Sequence, residues 1–151
     1  MAFLQEQAAL DERFAVADDA LERWHNDYAV WLGDETHRIF VAEPERTVQG
    51  FVTAQRWGPP PIYAPTSEVY VNELYVAPEA RRRGLGTQLV RAVRHWAESL
   101  SADRLRLQAL AGNAASRAFW AAQEARPFTT ILTVELEGRA DREEARRRIG
   151  F

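Results

Sequence analysis

The sequence predicts an α+β fold in a single domain. A strand, turn and strand pattern over residues 39–54 predicts an antiparallel hairpin, and a later strand over residues 68–76 runs directly into a helix. The chain has 151 residues with 46% hydrophobic content, enough for one domain with a substantial core and too few for two. We expect residues 1–151 to form one domain, with its motifs within about residues 18–136 and a highly charged tail over residues 138–151.

Two helices are expected before the hairpin. A short helix is predicted near residues 4–12, and a longer one follows Asp18 and Asp19 and ends at Gly33. Apolar side chains recur at helical spacing along the longer helix, namely at Leu21, Trp24, Tyr28 and Trp31. No strand is recognisable before these helices, so the sheet is expected to begin at Ile39.

The first strands of the sheet are short. Residues 39–42 and 48–54 are predicted strands, joined by the turn residues 43–46. Residues 58–65 contain four prolines, which cannot donate ladder hydrogen bonds, so this segment is predicted to be a stiff surface loop. The strand over residues 68–76 follows the loop.

Helices and strands alternate in the second half of the chain. The helix that starts at the glycines is predicted to bury one face, made of Leu85, Leu89, Val93, Trp96 and Leu100. Residues 104–110 alternate polar and apolar as a strand, and residues 114–123 form a helix predicted to bury Ala115, Phe119 and Ala122. A last strand is predicted over about residues 130–136.

Residues 74–87 carry more functional information than the rest of the chain, because an apolar strand here runs into an Arg-Gly turn that opens an amphipathic helix. Gly84 and Gly86 have no side chains, so several backbone N–H groups can point at one anion, where the helix dipole adds positive potential. All 19 basic residues are arginine, and guanidinium groups fork onto phosphate oxygens. The pattern predicts a phosphate site, and a pyrophosphate fits it.

Two other glycine-rich phosphate motifs do not fit this turn. A Rossmann fingerprint requires glycine where Leu89 stands, and a Walker loop requires a lysine, which the chain lacks. The alternative that stays open is an ordinary loop followed by a helix that happens to start with glycine.

Composition excludes several kinds of chemistry and partner. The chain has no cysteine for a disulfide or a thiolate, and its three histidines lack metal-ligand spacing, so no metal is expected. No apolar stretch approaches membrane-spanning length, and no basic segment leads into a long apolar run at the N-terminus. We therefore expect a cytoplasmic protein without membrane contact. The net charge of −3 disfavours nucleic-acid binding.

Two motifs, in order, resemble the GNAT N-acetyltransferase superfamily. Residues 73–87 are similar to its acetyl-CoA motif, Gln/Arg-x-x-Gly-x-Gly/Ala, with matches at Arg81, Gly84 and Gly86. Residues 113–120 are similar to its second signature, Asn-x-x-Ala-x-x-Phe-Tyr, and lie about as far from the first motif as the family expects. The resemblance implies a mixed, mostly antiparallel central sheet flanked by helices, with a V-shaped cleft between the two central strands.

The resemblance also implies acetyl-CoA as the acyl donor. The activity implied is direct acetyl transfer, in a ternary complex, to a primary amine of a small molecule or peptide. The backbone of Leu74 and Val76 would pair with the pantetheine arm, and the amides of residues 82–87 would bind the pyrophosphate. The donor-binding residues implied are Leu74, Val76, Arg81, Arg82, Arg83, Gly84, Leu85, Gly86, Thr87, Asn113, Ser116, Phe119 and Trp120.

Glu73 and Val76 are the candidate catalytic residues. The N–H of Val76 would polarise the thioester carbonyl, and Glu73 would accept the proton of the amine, directly or through water. Alternation along the strand directs Glu73 away from the face that carries Leu74 and Val76. The alternative for Glu73 is an exposed strand carboxylate that forms a salt bridge.

The chain departs from the family at three places, and the first is the absence of the family's usual first strand before the helix that spans Leu21 to Trp31. Trp120 stands where many members have a tyrosine that serves as general acid, and an indole cannot donate a proton at neutral pH. We expect Trp120 to form a wall for the pantetheine or the acceptor, while water, Tyr75, Ser116 or Tyr63 protonates the thiolate. Glu124-Ala125 stands where the family usually shows Gly-Phe, which puts the following turn in question.

The acceptor and the assembly state are predicted from surface features. The acceptor is expected to contact residues 11–14, 57–65 and 108–110 and the turn near Phe128, with Phe14, Trp57 and Tyr63 as candidates for an aromatic pocket. An uncovered edge strand would invite pairing with another chain, so a homodimer is predicted.

Two further hypotheses stay open beside the transferase. An acyl-CoA-binding sensor or scaffold would keep the glycine turn and lack turnover, because the tyrosine is missing. RNA binding through the arginines is the third, opposed by the acidic balance of the chain and by the absence of an aromatic and basic platform.

Overall fold

The computed structural model describes residues 2–60 and 62–134. The helices are α1 (Ala2–Leu10), α2 (Ala20–Gly33), α3 (Leu85–Ser99) and α4 (Ala114–Ala122), and the strands are β1 (His37–Ala42), β2 (Gly50–Trp57), β3 (Glu68–Val76) and β4 (Arg104–Leu107). Both N-terminal helices, the hairpin, the proline-rich loop and the helix after the glycines are thereby confirmed. No described helix combines the length and apolar character that crossing a membrane requires.

The strands form one mixed sheet in the order β1-β2-β3-β4. β2 pairs antiparallel with both β1 and β3, whereas β3 and β4 are parallel. α3 packs against one face of the sheet, and α1 and α2 pack against the other. The predicted α+β fold with a mostly antiparallel sheet is confirmed, and no described residue before His37 belongs to a strand.

The apolar core lies between α3 and the sheet. Val52 on β2, Val69 on β3 and Val93 on α3 are fully buried. The buried residues of α3 fall on one stripe at helical spacing, while its arginines face solvent, as the sequence predicts.

A layer of aromatic side chains covers the opposite face of the sheet. Phe3 on α1 contacts Phe51 and Tyr75 edge to face, with ring centroids 5.7 and 5.8 Å apart. Trp24 on α2 contacts Phe51 and stacks on Tyr28 at 4.3 Å. These five rings, which we call the aromatic layer, hold the N-terminal helices against β2 and β3.

A bulge in β3 decides which way Glu73 points. Thr53 pairs with Glu73, but the next residue of β2, Ala54, pairs with Val71, so Asn72 is an extra residue on β3. Odd-numbered residues of β3 face α3 before the bulge, and even-numbered residues face it afterwards. Glu73 therefore lies on the face covered by α2, next to Thr53.

β3 and β4 separate beyond a short paired region. Their pairing covers Glu68–Val71 against Arg104–Leu107, while β3 itself continues to Val76. Beyond Val71, this side of β3 has no strand neighbour among the described residues. This opening corresponds to the V-shaped cleft that the family resemblance implies between the central strands.

Several strand boundaries differ from the prediction, because ladder pairing rather than side-chain alternation sets them. β1 begins two residues earlier, since His37 pairs with Gln55. β2 starts at Gly50 and continues to Trp57, where it pairs with Glu68. β4 ends at Leu107, because β3 and β4 diverge there.

The strand predicted over residues 130–136 is not formed in its described part. Residues 130–134 belong to no strand, and Leu132 and Val134 are both 84% exposed. The reason is that no described strand pairs with them, since the sheet ends at β4. Residues 135–136 and the charged tail, residues 138–151, lie outside the described residues.

The buried face of α4 also differs from the prediction. Ala115 and Ala122 are exposed, whereas Trp120 is buried and Phe119 packs against the core. An indole removes far more apolar surface from water than an alanine methyl does, so Trp120 sets the rotation of the helix.

Candidate active site

The Arg-Gly turn leaves the first amides of α3 without a cap. Gly84 is the N-cap residue, with φ of 82° in the left-handed region, and it offers no side chain to these amides. The first turn contains no acidic residue, and Gln88 is the first to donate within the helix, to the carbonyl of Gly84 at 3.0 Å. The N–H groups of Leu85, Gly86 and Thr87 are thus available to an anion.

Arginines surround this turn, but they are not equivalent. Arg82 and Arg83 are exposed at the turn. Arg81 instead donates from Nε to the carbonyl of Val76 at 2.8 Å and from Nη2 to Glu6 of α1 at 2.6 Å. Arg81 therefore ties α1 to the end of β3, which the sequence did not predict.

α4 lies beside the first turn of α3. A Cβ added at Gly86 would stand 3.1 Å from Cε2 of Phe119, so glycine allows this close approach. Nε2 of Gln123 donates to the hydroxyl of Thr87 at 3.4 Å. Asn113 caps α4, its Oδ1 accepting from the amide of Ser116 at 2.9 Å, so the capping role considered for Asn113 is present.

The backbone of β3 faces the cleft at alternate residues. The N–H of Ala77 donates to the carbonyl of Gln49 beside β2 at 2.8 Å. Alternation turns the backbone groups of Leu74 and Val76 to the other side, where pairing with β4 has ended. Arg81 already donates to the carbonyl of Val76. The backbone groups that remain free toward the cleft are therefore the N–H of Val76 and the N–H and carbonyl of Leu74.

Glu73 is partly buried beneath α2. Its Oε2 accepts from the hydroxyl of Thr53 at 3.3 Å, and its carboxylate also accepts a hydrogen bond from the side chain of Trp24. Burial raises the pKa of Glu73 above its ordinary value, and the two hydrogen bonds oppose this shift. No cation pairs with Glu73 within the described chain, which argues against the salt-bridge alternative.

Tyr28 and Trp24 are parts of this site that sequence reasoning missed. Burial raises the pKa of Tyr28, and the charge of Glu73 raises it further. In the sequence, the helical spacing of Trp24 and Tyr28 assigns both residues to the apolar face of α2. The sequence did contain one indication of their role. The indole N–H of Trp24 and the hydroxyl of Tyr28 need hydrogen-bond partners when these rings pack against the sheet.

The side chains considered as proton donors lie in different surroundings. Burial raises the pKa of Tyr75, whose hydroxyl lies 3.5 Å from Oε1 of Glu6. Ser116 is half-buried in the first turn of α4, and Tyr63 is 61% exposed in the proline-rich loop. Tyr75 shares the face of Glu73, so the structure brings these two side chains to the same side of β3.

The predicted aromatic pocket of Phe14, Trp57 and Tyr63 is not formed among the described residues. Trp57 contacts Tyr70 instead, and the other two rings are largely exposed. One of the predicted acceptor segments, residues 11–14, contacts the stretch predicted as the last strand, because Nη1 of Arg13 donates to the hydroxyl of Thr133 at 2.9 Å. Two aromatic side chains of α2, those of Trp24 and Tyr28, interact with Glu73.

The sequence profile of the Acetyltransferase (GNAT) family matches residues 3–124, which include the hairpin, both motifs and the helices around the cleft. The chain belongs to the GNAT acetyltransferase family. No curated protein matches the chain.

Solved structures of GNAT proteins share the fold at low identity. A putative acetyl transferase from Pyrococcus furiosus is 21% identical, with a TM-score of 0.71 and coverage of 89% of each chain. The aminoglycoside N-acetyltransferase AAC(6')-Iy in complex with a bisubstrate analogue is 19% identical, with a TM-score of 0.69 over 90% of this chain and 92% of that one. The same enzyme with CoA gives a TM-score of 0.66 at 19% identity over 78% and 88%.

Both departures from the GNAT motifs have a structural outcome. Trp120 is only 8% exposed and lies in the core with Val90 and Leu107, so at most one ring edge can meet a ligand. Glu124 adopts φ of 67°, the left-handed conformation that glycine favours, and the amide of Ala125 donates to the carbonyl of Trp120 at 3.0 Å. The turn after α4 thus forms without the family's glycine.

Within the described ranges, no three His, Asp or Glu side chains converge as a group that would hold a metal ion.

Proposed function

We propose that this GNAT acetyltransferase moves the acetyl group of acetyl-CoA to a primary amine by direct transfer in a ternary complex. One observation carries the proposal. β3 presents a partly buried carboxylate, Glu73, on one face and ends in an uncapped glycine turn that suits a pyrophosphate.

The turn suits the donor because the amides of Leu85–Thr87 are free and Arg82 and Arg83, which precede them in the turn, are exposed. Charge-assisted hydrogen bonds of this kind contribute about 1.5–3 kcal/mol each. Several together account for most of the affinity for acetyl-CoA. When bound, acetyl-CoA supplies a thioester whose carbonyl carbon the amine attacks.

The cleft-facing backbone of β3 would hold the pantetheine arm. In this proposal, Leu74 pairs with its amide groups, and the N–H of Val76 donates to the thioester oxygen. That hydrogen bond strengthens as negative charge develops on the oxygen during attack. Asn113, Ser116 and Phe119 on α4 bound the other side of the arm.

Glu73 would accept the proton that the attacking amine loses. Its raised pKa places the carboxylate nearer to neutral pH, where a general base is most effective. Because Thr53 and Trp24 already bind the carboxylate, we propose that the proton reaches it through one water.

The carbon–sulfur bond breaks as the amide forms, and CoA leaves as a thiolate. A thiolate is a stable leaving group, so general acid catalysis, worth about 10²- to 10⁴-fold, is less critical than positioning. We assign the proton to water or to Tyr75, which lies on the Glu73 side of β3.

Release of free CoA thiol, followed in the presence of acetyl-CoA and a panel of primary amines, tests the proposal. The panel holds amino acids, peptide N-termini, polyamines and aminoglycosides. We expect thiol release above the blank with at least one amine and a matching amount of acetylated product. Tight acetyl-CoA binding without release for any amine would refute transfer.

That second outcome defines the other candidate function. The burial of Trp120 at the position of the family's tyrosine favours an acyl-CoA-binding sensor or scaffold. The sensor predicts that acetyl-CoA binds as tightly as it does to a transferase but is never consumed.

We also propose that the protein acts in the cytoplasm as a homodimer. The support is that both outer edges of the described sheet, on β1 and β4, lack a strand partner. Light scattering at micromolar concentration tests this, and a monomer mass would contradict it.

A further inference from the structure

An open patch adjoins Glu73 on the face of the sheet that carries the aromatic layer. Trp57, at the end of β2, is 45% exposed, and its ring contacts Tyr70 of β3 with centroids 5.8 Å apart. Tyr70 precedes the bulge and faces the same side of the sheet as Glu73. Their partners on β2, Gln55 and Thr53, are two residues apart, so the rise along a strand separates the two positions by about 7 Å. The patch is therefore within reach of a ligand whose amine lies at Glu73.

A buried carboxylate holds two guanidinium groups beside this patch. Glu68 of β3 is only 2% exposed, and its Oε2 lies 2.9 Å from Nε of Arg106. Its Oε1 lies 3.3 Å from Nε of Arg104. Arg106 is the direct neighbour of Tyr70 in the parallel ladder and shares its face. One carboxylate balances only one of the two arginines, so this group of three side chains keeps a positive charge.

Arg106 is held in place on two sides and is still open to a ligand. Its Nη2 donates to Oε1 of Glu68 at 3.4 Å, and its Cζ lies 5.0 Å from the centre of the Phe128 ring. The side chain is 32% exposed, and no described residue accepts a hydrogen bond from Nη1. Burial raises the pKa of Tyr70, and the charge of Arg106 opposes this rise, so that charge acts on the patch. A guanidinium fixed in this way loses little freedom when it binds an anion.

We propose that the acceptor is an amine that also carries a carboxylate, and that Arg106 binds this carboxylate while the amine lies at Glu73. This inference rests on the proposed acetyl transfer and names the class of its acceptor. A guanidinium fork matches the two oxygens of a carboxylate. The rings of Trp57 and Tyr70 would bound the hydrocarbon part between the two ends. The two ends of such an acceptor thus meet groups of opposite charge.

The spacing of these groups selects among amino acids. The carboxylate of an α-amine is attached next to it, so the two ends cannot reach Glu73 and Arg106 together across about 7 Å. The side-chain amine of free lysine lies one extended chain away from its carboxylate, about the length of two residues or 7 Å. The acceptor expected is therefore an amino acid that is acetylated at its ω-amine. Polyamines, aminoglycosides and lysines within proteins lack this carboxylate.

A matched pair of acceptors tests the class. 6-Aminohexanoate and hexylamine have the same chain length and similar amines, and they differ in the carboxylate. We expect kcat/KM to be at least about tenfold higher for 6-aminohexanoate, chiefly through a lower KM. The shorter 4-aminobutanoate should gain less over butylamine. Equal values of kcat/KM for 6-aminohexanoate and hexylamine would overturn the inference.

Variants of Arg106 test the residue. Arg106→Gln should reduce the preference for 6-aminohexanoate over hexylamine to about one, and Arg106→Lys should give an intermediate preference, because it keeps the charge without the fork. Arg56→Gln is the matched control, since Arg56 is an exposed arginine of β2 that alternates with the core residues Val52 and Ala54 and so lies on the opposite face. A preference that survives in Arg106→Gln would overturn the role of Arg106.

The fold of these variants is checked at the donor site. Arg106→Gln leaves Glu68 with one guanidinium, so Glu68→Gln/Arg106→Gln, which removes both charges, replaces it if the single variant does not fold. Acetyl-CoA affinity equal to that of the natural protein in calorimetric titration shows that the fold is intact.

Binding of the acetylated product tests the inference apart from turnover. 6-Acetamidohexanoate should bind at least about tenfold more tightly than N-hexylacetamide, and Arg106→Gln should remove the difference. If no amine releases thiol but this difference in binding is found, the proposed transfer fails and the carboxylate site stands. Equal binding of the two amides would overturn the inference even where transfer occurs.

Discussion

At the scale of single residues, the burial of Glu73 makes the stability of the fold depend on pH. Its pKa is raised in the folded chain, chiefly by burial, so the folded state binds a proton more tightly than the unfolded state does. Between the ordinary pKa and the raised one, stability therefore falls as pH rises. In the proposed mechanism, this cost accompanies the use of Glu73 as the base.

Glu73→Gln should remove the contribution that Glu73 makes to the pH dependence of stability. We expect the variant to be at least as stable as the natural protein below the ordinary carboxyl pKa, and more stable above the raised one. Thermal melts across pH 3–8 measure this, with exposed Glu22→Gln on α2 as the control. Parallel curves for the natural protein and Glu73→Gln would show that the burial of Glu73 has no energetic effect.

Trp120 is a second residue for which burial has a testable consequence, because its side chain belongs to the core. Trp120→Phe removes ring volume from the core and should cost roughly 1–2 kcal/mol of stability. Turnover at saturating acetyl-CoA should stay within about threefold, since an indole supplies no proton. Trp57→Phe, at a site 45% exposed, is the matched control for stability. A collapse of turnover with donor binding intact would mean that Trp120 takes part in the chemistry.

At the scale of elements, the turn between β3 and α3 depends on one backbone angle. Gly84→Ala forces a side chain into the left-handed region, at a cost of about 1–2 kcal/mol. If the turn changes conformation to relieve this strain, acetyl-CoA binding should lose the same free energy and weaken by about 5- to 30-fold. In calorimetric titration, the acetyl-CoA affinity of Gly84→Asn should lie between that of the natural protein and that of Gly84→Ala, because asparagine tolerates the left-handed conformation.

Gly33→Ala provides the control for this substitution. Gly33 has open space around a new Cβ and a φ outside the left-handed region, so donor affinity should not change. Equal affinities for Gly84→Ala and the natural protein would show that the turn does not hold the donor.

Much of the element order was predictable, because it depends on local signals. Gly84, Gly86 and the periodicity from Leu89 to Trp96 fix where the turn ends and α3 packs. The bulge at Asn72 was not predictable, since it depends on how β2 pairs with β3. The hydrogen bond from Trp24 to Glu73 was missed for a related reason, as it joins residues far apart in sequence.

At the scale of the whole molecule, donor binding should stabilise the fold. Acetyl-CoA at a hundredfold excess over its dissociation constant adds about 2.7 kcal/mol to folded stability. For a chain of this size that raises the melting temperature by roughly 5–11 °C. Thermal shift measurement checks this, with acetyl phosphate, which lacks the CoA moiety, as the control. Equal shifts would mean that the chain does not recognise CoA.

The charge distribution also belongs to this scale. Residues 2–36 contain nine acidic and two basic residues, whereas residues 81–94 contain five arginines and no acid. In the proposed reaction, this distribution would favour the anionic donor at the α3 side of the sheet and a cationic amine at the α2 side. This separation was readable from the sequence, but its placement on opposite faces required the fold.

The pH dependence of kcat/KM tests the central claim most directly, with an amine that the panel identifies as an acceptor. The natural protein should lose activity on the acid side with an apparent pKa above that of an ordinary glutamate, in addition to the titration of the amine. Glu73→Gln should lower kcat/KM by about 10²- to 10⁴-fold at neutral pH and remove that limb. An unchanged rate and profile in Glu73→Gln would contradict the assignment of Glu73 as the base.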